Sequence, residues 1–484
     1  MARSAVIQLA LLAFVALLIV IASWSGRRTH HAADFLVASR RLGGLLTAAG
    51  YVGSASNAWI LTLVAAAAFA WGLSAIWLWG SFVFSCLVSM LYIAPRLRAI
   101  AAGQGAHTLT QVISADSGDR LQPLITRSAA VISVLFLILQ SAVLVRAAAE
   151  LLHMDSQFDV ARIVTLSVVL VTACVLIGGL RAASVCDAVQ AALMACVALL
   201  LPIPAFFALG QWDVLVSSVG IMSPELSDWF GGKSGVVALA FSAGGFALGF
   251  AISGQPHAMV RLLAVKDDAA SRRAGWLAFA WTIIVLASVI VAGWCARLLY
   301  DGLQHPEQAF YALAIRLLPP WLGALFVMTL FAALVLSLAS PMLALASQLS
   351  LDLRRSTSAH SISLTRVLLA LVAVATIFTA TLMPINILDH ALLAFTAIGA
   401  SFGPLLLVRL SGKRLRPGSV LGAMWAGFTL SVLFHLLPDS PGDFLERVLP
   451  FVAALGIALS GGERRRNPDR ADRAQETVHD RIPI

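Results

Sequence analysis

Charge is scarce in this chain: 12% of its 484 residues are Asp, Glu, Lys or Arg, and lysine is reduced to Lys233, Lys266 and Lys413. A soluble domain covers its surface with such groups. A chain that is 60% hydrophobic, with a mean hydropathy of +0.90, falls outside that class and reads as a polytopic membrane protein. Cysteine is sparse too. Cys86, Cys174, Cys186, Cys196 and Cys295 lie in or at the ends of apolar segments without a CxxC pair, which argues for free thiols over a disulfide framework or metal set. Strand-like alternation does not recur, so the expected fold is all-α. No nucleophile triad, Walker loop, HExxH or dinucleotide fingerprint is present, so an enzyme is excluded and no cofactor is expected. The net charge of +9 raises the question of nucleic acid, but its placement in loops assigns it to membrane topology. The excess of arginine over lysine fits a GC-rich bacterial coding bias.

Thirteen apolar segments can be drawn, near residues 4–23, 43–70, 73–95, 128–150, 160–178, 185–209, 235–260, 274–299, 320–350, 366–384, 388–410, 417–437 and 445–461. A crossing needs about 20 apolar residues. The first is read as a retained helix, with a signal peptide as its alternative. Loop charge then alternates. Arg27, Arg28, Arg40, Arg41, Arg96, Arg98, Arg120, Arg127, Arg181, Arg261, Lys266, Arg272, Arg273, Arg354, Arg355, Lys413, Arg414, Arg416 and Arg464–Arg466 fall on one side. Asp155, Asp213, Glu225, Asp228, Asp301, Asp389, Asp439 and Asp443 fall on the other. The positive-inside rule places the N-terminus outside and the C-terminus in the cytoplasm of a bacterial inner membrane. Residues 462–484 read as a disordered tail.

Two of these segments are interrupted. The first break, Gly50-Tyr51-Val52-Gly53-Ser54-Ala55-Ser56-Asn57-Ala58-Trp59, is rich in glycine and hydroxyls at mid-membrane depth. Bare backbone there must be satisfied by protein or by something bound, and such breaks line solute or ion cavities. The second runs Gly244-Gly245-Phe246-Ala247-Leu248-Gly249-Phe250, then Ser253-Gly254-Gln255-Pro256-His257. Segments two and seven are five apart, the pattern of a five-plus-five inverted repeat.

The chain resembles the sodium/solute symporter family, and its sodium/proline branch most closely, over about residues 33–461. The resemblance rests on Asp34-Phe35-Leu36-Val37-Ala38-Ser39-Arg40-Arg41-Leu42-Gly43, the break ending in Trp59, Gly178-Gly179-Leu180-Arg181-Ala182 with Asp187-Ala188-Val189-Gln190, Gly254-Gln255-Pro256-His257 with Arg261, Ala332-Ala333 through Ser337 to Asp352-Leu353, and Phe402-Gly403-Pro404. It implies about 13 transmembrane helices around a LeuT-type core. Its expected divisions are residues 1–42 (first helix and basic loop), 43–411 (core), 412–461 (two peripheral helices) and 462–484 (tail).

A sodium ion takes about five or six oxygens from freed carbonyls and hydroxyls. The resemblance implies a site at Gly53, Ser56, Ala333 and Ser337, with Asp187 assisting cation release. Leu336 and Ala55 stand where the family carries a hydroxyl and the proline branch an aspartate. Alternatives stay open at several positions. Ser337 is either a ligand or a helix serine back-bonded one turn earlier. Asp187 is either functional or an interfacial acid at a helix start, paired with Arg181. His257 is a proton relay or a structural histidine. The resemblance assigns the solute to Asn57, Ala58, Trp59, Gln140, Phe246, Phe250 and Pro256, the aromatics having packing as their alternative.

The expected function is a cation-coupled symporter, sodium first and proton second, importing a small solute such as proline, another amino acid or a carboxylate. The alternative is a transporter-like receptor or regulatory membrane subunit without ion coupling. The expected partners are the solute, the cation and the lipid bilayer, with no nucleic acid.

Overall fold

A computed structural model describes residues 3–29, 31–56, 58–115, 118–155, 158–209, 224–300, 303, 306–352, 362–383, 386–438 and 440–464. Its principal helices are α1 (Arg3–Gly26), α2 (Gly44–Ser56), α3 (Trp59–Trp71), α4 (Ile76–Val88), α5 (Gly118–Asp155), α6 (Val160–Leu200), α7 (Gly235–Ala247), α8 (Pro256–Leu263) and α9 (Asp268–Leu299). They continue as α10 (Pro320–Leu336), α11 (Ala339–Asp352), α12 (Ile362–Leu382), α13 (Ile387–Leu410), α14 (Pro417–His435) and α15 (Leu449–Ser460). Helix starts follow local chemistry. Asp159 and Asp267 cap α6 and α9 by accepting from the amides of Arg162 (3.2 Å) and Ala270 (2.7 Å). Pro256 and Pro417 sit at the first turns of α8 and α14, where a missing N–H costs nothing.

Ten helical runs among the described residues are long and apolar enough to cross a bilayer. Two of them, Trp59–Gln104 and Val160–Ala208, are 46 and 49 residues long, more than twice the length of one crossing. Each is bent at a glycine with positive φ, Gly72 at 60° and Gly179 at 55°. Gly179 corrects one sequence expectation. Segments five and six are not separated by a loop: helix runs on from the kink, and Asp187 lies about two turns beyond it, fully buried. A side chain at Gly179 would meet the carbonyl of Phe35 at 2.5 Å, so glycine is required there for both angle and space.

The interior is a packed bundle. The helix α2 lies on α6, α8 and α9; α10 and α11 lie on α5 and α6; α13 lies on α5, α14, α15 and the 3-10 turn Leu248–Gly254. Strand pairing among the described residues is confined to β1 (Lys413–Leu415) with β2 (Gly462–Arg464), antiparallel, and a parallel bridge between Leu42 and Val265. Residues Gly462–Arg464 therefore belong to an ordered ladder, unlike the sequence expectation of a tail from 462. Residues 465–484 lie outside the described residues. So do loop residues Asp213, Asp301, Arg354, Arg355 and Asp439. Four cysteines are buried free thiols, and Cys196 is exposed.

Candidate functional site

The chain interrupts its own helices where apolar segments two, seven and nine pass through the core. In segment two, α2 ends at Ser56 and α3 begins at Trp59. A helix ending at Ser56 leaves the carbonyls of its last turn without the usual partners and presents a partial negative charge, while the start of α3 presents a partial positive one. One break thus offers a cation end and an anion end. Segment nine breaks in the same way, with α10 ending at Leu336 and α11 starting at Ala339.

Ser337 joins the two breaks. Its hydroxyl donates to the Ala333 carbonyl at 2.9 Å, the back-bond of a helix serine, and accepts from the Ala58 amide at 3.4 Å. Gly53 sits against α6, and a Cβ there would lie 2.2 Å from the Asp187 carbonyl, so no larger residue fits. The Gly53 carbonyl accepts from Gln190 Nε2 at 2.9 Å. Ser56 is buried beside it, as are Ala55 and Leu336, both without side-chain oxygen. Asn57 lies outside the described residues.

Asp187 departs from its expected setting. It is neither interfacial nor paired with Arg181. Asp187 Oδ2 accepts from Arg261 at 2.5 Å, and both carboxylate oxygens accept from the Ser340 hydroxyl at 2.7 Å. Arg261 also donates to the His257 carbonyl at 2.6 Å and to Ser340. These contacts bind α6, α8 and α11 into one buried cluster. Neither His257 ring nitrogen has a hydrogen-bond partner among the described residues.

The second break is closed by neighbouring side chains. Ser81 donates to the Phe246 carbonyl and accepts from the Gly249 amide at 2.7 Å, while Ser85 donates to the Gly249 carbonyl at 2.6 Å. Gln255 Nε2 donates to the Phe395 carbonyl at 2.8 Å, and the next residue, Pro256, begins α8 and is buried. The solute candidates separate into two places. Trp59 packs edge-on against Phe395 at 5.7 Å. Phe246 and Phe250 are half-buried in a different cluster, 5.7 and 5.8 Å from Phe84, with Phe250 6.2 Å from Phe451. Gln140, in the middle of α5, is 2% exposed, and neither end of its amide has a hydrogen-bond partner among the described residues.

Sequence reasoning missed the roles of Gln190, Ser340, Ser81 and Ser85. A signal existed for Gln190, which lies three residues from Asp187 on the same helix face.

The family profile described as "Sodium:solute symporter family" matches residues 35–429. The chain belongs to the sodium:solute symporter family. Among similar proteins, the high-affinity proline transporter PutP of Bacillus subtilis (strain 168) is 28% identical over 453 residues, covering 90% of this chain and 93% of that one. The sodium/proline symporter of Escherichia coli (strain K12) is 25% identical over 454 residues, covering 88% of each. Among solved structures, a substrate-bound, outward-open Na+-coupled sialic acid symporter superposes with a TM-score of 0.78 at 13% identity, covering 96% of this chain and 99% of that one. The nucleobase-cation-symport-1 family transporter Mhp1 gives 0.53 at 16% identity, covering 88% and 92%. The fold of this symporter-family chain is thus the LeuT type, and the chain is a membrane transporter, not an enzyme. Its family couples solute movement to sodium.

Proposed function

We propose that this symporter imports proline, or a closely related small amino acid or carboxylate, together with sodium. The Ser337 bridge to Ala58 carries the reading, because it brings the two broken helices to one point. There the carbonyl end of α2, the Ala333 carbonyl and the Ser337 hydroxyl offer hard oxygens to a cation. Gly53 and Ser56 supply the α2 side of the site, and Asp187, on α6, packs against Gly53. The start of α3, at Ala58 and Trp59 with Asn57 before it, suits a solute carboxylate. The unpartnered amide of Gln140 is a ready hydrogen-bond group for the solute. Phe246, Phe250 and Pro256 belong to the wall formed by the second break. Names of the relatives support proline as the solute.

The same reading places the transporter in a bacterial inner membrane, N-terminus outside and C-terminus in the cytoplasm, with basic loops inward. Residues 43–411 form the transport core, and residues 1–42 and 412–461 flank it.

The test is proline uptake into proteoliposomes under an imposed sodium or proton gradient, across a panel of amino acids and carboxylates. Sodium-driven proline uptake is expected. Absence of gradient-driven uptake for every panel member overturns the proposal. Ala55 and Leu336 favour one second reading, a solute receptor without coupling, in which sodium leaves solute affinity unchanged.

A further inference from the structure

A groove of about 580 Å³ opens between the start of α2 and the start of α9, at the opposite end of α2 from its break. Its size falls within the range of small-molecule sites. Two cations, Lys266 and Arg273, stand over walls formed by Gly43, Gly44, Leu45 and Ala49. The bridge between Leu42 and Val265 builds it. The Leu42 amide donates to the Ala264 carbonyl, and the Lys266 amide to the Leu42 carbonyl, both at 3.1 Å, which holds Lys266 beside the α2 start. The Arg273 stem lies against Gly44, where a Cβ would sit 3.0 Å from Arg273 Cβ.

One acid, Asp267, lines the groove beside the two cations, and its carboxylate is shared with the start of α9. Asp267 caps α9 through the Ala270 amide, at 2.7 Å, and keeps only a loose exposed contact with Lys266 at 3.5 Å. Asp268 is ion-paired with Arg98. Arg273 has no carboxylate within salt-bridge distance among the described residues. One turn along α9 from Arg273, Trp276 is 71% exposed, and Leu45 on α2 is 70% exposed. In a polytopic membrane protein such side chains face lipid, and a tryptophan beside arginine marks the headgroup level.

We infer that this groove binds the headgroup of an anionic phospholipid. Lys266 and Arg273 contact its phosphate, and the acyl chains run along Leu45, Ala49 and Trp276. Charge complementarity selects an anion, and the exposed apolar wall selects a lipid over free phosphate. Juxtamembrane basic pockets between helices bind lipid headgroups on this physical basis.

The test is native mass spectrometry of the delipidated full-length chain in detergent, titrated with phosphatidylglycerol, with phosphatidylcholine of equal chain length, or with inorganic phosphate. Wild type is expected to retain phosphatidylglycerol in preference to phosphatidylcholine, and millimolar phosphate is expected not to displace it. The double variant Lys266→Gln/Arg273→Gln is expected to weaken phosphatidylglycerol binding ~30-fold, about fivefold per cation, and to leave phosphatidylcholine unchanged. Leu45→Ala, which trims the exposed apolar wall without adding a charge on the lipid side, is expected to weaken it as well. Unchanged phosphatidylglycerol binding in the double variant, or full displacement by inorganic phosphate, overturns the inference.

Discussion

Arg261 and Asp187 meet at 2.5 Å with side chains 1% and 0% exposed, tying α8 to α6 in the middle of the bundle. Ser340 on α11 donates to the same carboxylate, so three helices share one buried charge pair. Arg261 already supplies the positive charge that Asp187 requires. The pair also lies behind the Gly53 contact, so movement at either end is felt at the first break.

Breaking this pair from one side leaves an uncompensated buried charge, which typically costs 3–5 kcal/mol. Arg261→Gln and Asp187→Asn are each expected to lower the melting temperature of the purified protein sharply. The double variant Arg261→Gln/Asp187→Asn is expected to lose much less than the sum, because neither charge is then stranded. Thermal unfolding of all four proteins in one detergent measures the coupling. Strictly additive losses would contradict the buried-pair assignment.

Gly53→Ala is the sharpest steric test. The added Cβ would lie 2.2 Å from the Asp187 carbonyl and 2.8 Å from its carbon, and backbone atoms cannot step aside as a flexible side chain can. Overpacking of this kind costs roughly 1–3 kcal/mol or more. The variant is expected to melt earlier and to transport poorly, whereas the same change at Gly456 on α15, with open space around it, is expected to leave both unchanged. Equal behaviour of the two variants in melting and uptake would remove the close α2–α6 contact from the account.

Much of this architecture was legible in the chain, for physical reasons. Glycine and hydroxyl runs inside apolar segments announced that segments two and seven break, because such residues serve freed backbone, but the bounds 50–59 and 244–257 were too wide: helix persists to Ser56 in the first and to Ala247 in the second. Partners distant in sequence were not legible. Nothing in the local pattern near Asp187 says that its cation comes from residue 261, and Arg181 was nearer at hand. The separation of Phe246 and Phe250 from Trp59 was hidden for a similar reason. Helix rotation about the Leu248–Gly254 turn decides which way an aromatic points, and sequence spacing does not encode a 3-10 turn. Glycine likewise marked position 179 without revealing that helix resumes directly after a one-residue kink there.

Ser337 and Leu336 make opposite predictions for sodium. Ser337→Ala removes the hydroxyl that meets both Ala58 and Ala333, and is expected to raise the sodium concentration for half-maximal proline uptake about tenfold, equivalent to ~1.4 kcal/mol. Leu336→Ser adds an oxygen at a fully buried neighbour and is expected to lower that concentration, at a stability cost of about 2–5 kcal/mol for the lost packing. Sodium titration of initial uptake rates in proteoliposomes reads both. Unchanged sodium dependence in both variants would move the cation site away from the segment-nine break.

Gln140 separates a binding role from a packing role by the signs of two effects. Its amide is buried, with no hydrogen-bond partner for either Oε1 or Nε2 among the described residues, and an unsatisfied buried polar group typically costs 1–3 kcal/mol. A side chain kept for packing alone would be improved by an apolar replacement of similar size. Gln140→Leu is therefore expected to raise the melting temperature of the solute-free protein. If the amide serves the solute, the same variant loses a hydrogen bond on binding, and proline affinity is expected to fall about fivefold to tenfold, equivalent to ~1–1.4 kcal/mol. Melting scans with and without proline read both quantities on one sample, since ligand stabilisation follows occupancy. Higher intrinsic stability with a smaller proline-induced shift supports the binding role. Higher stability with an undiminished shift would leave Gln140 a buried polar residue with no part in recognition.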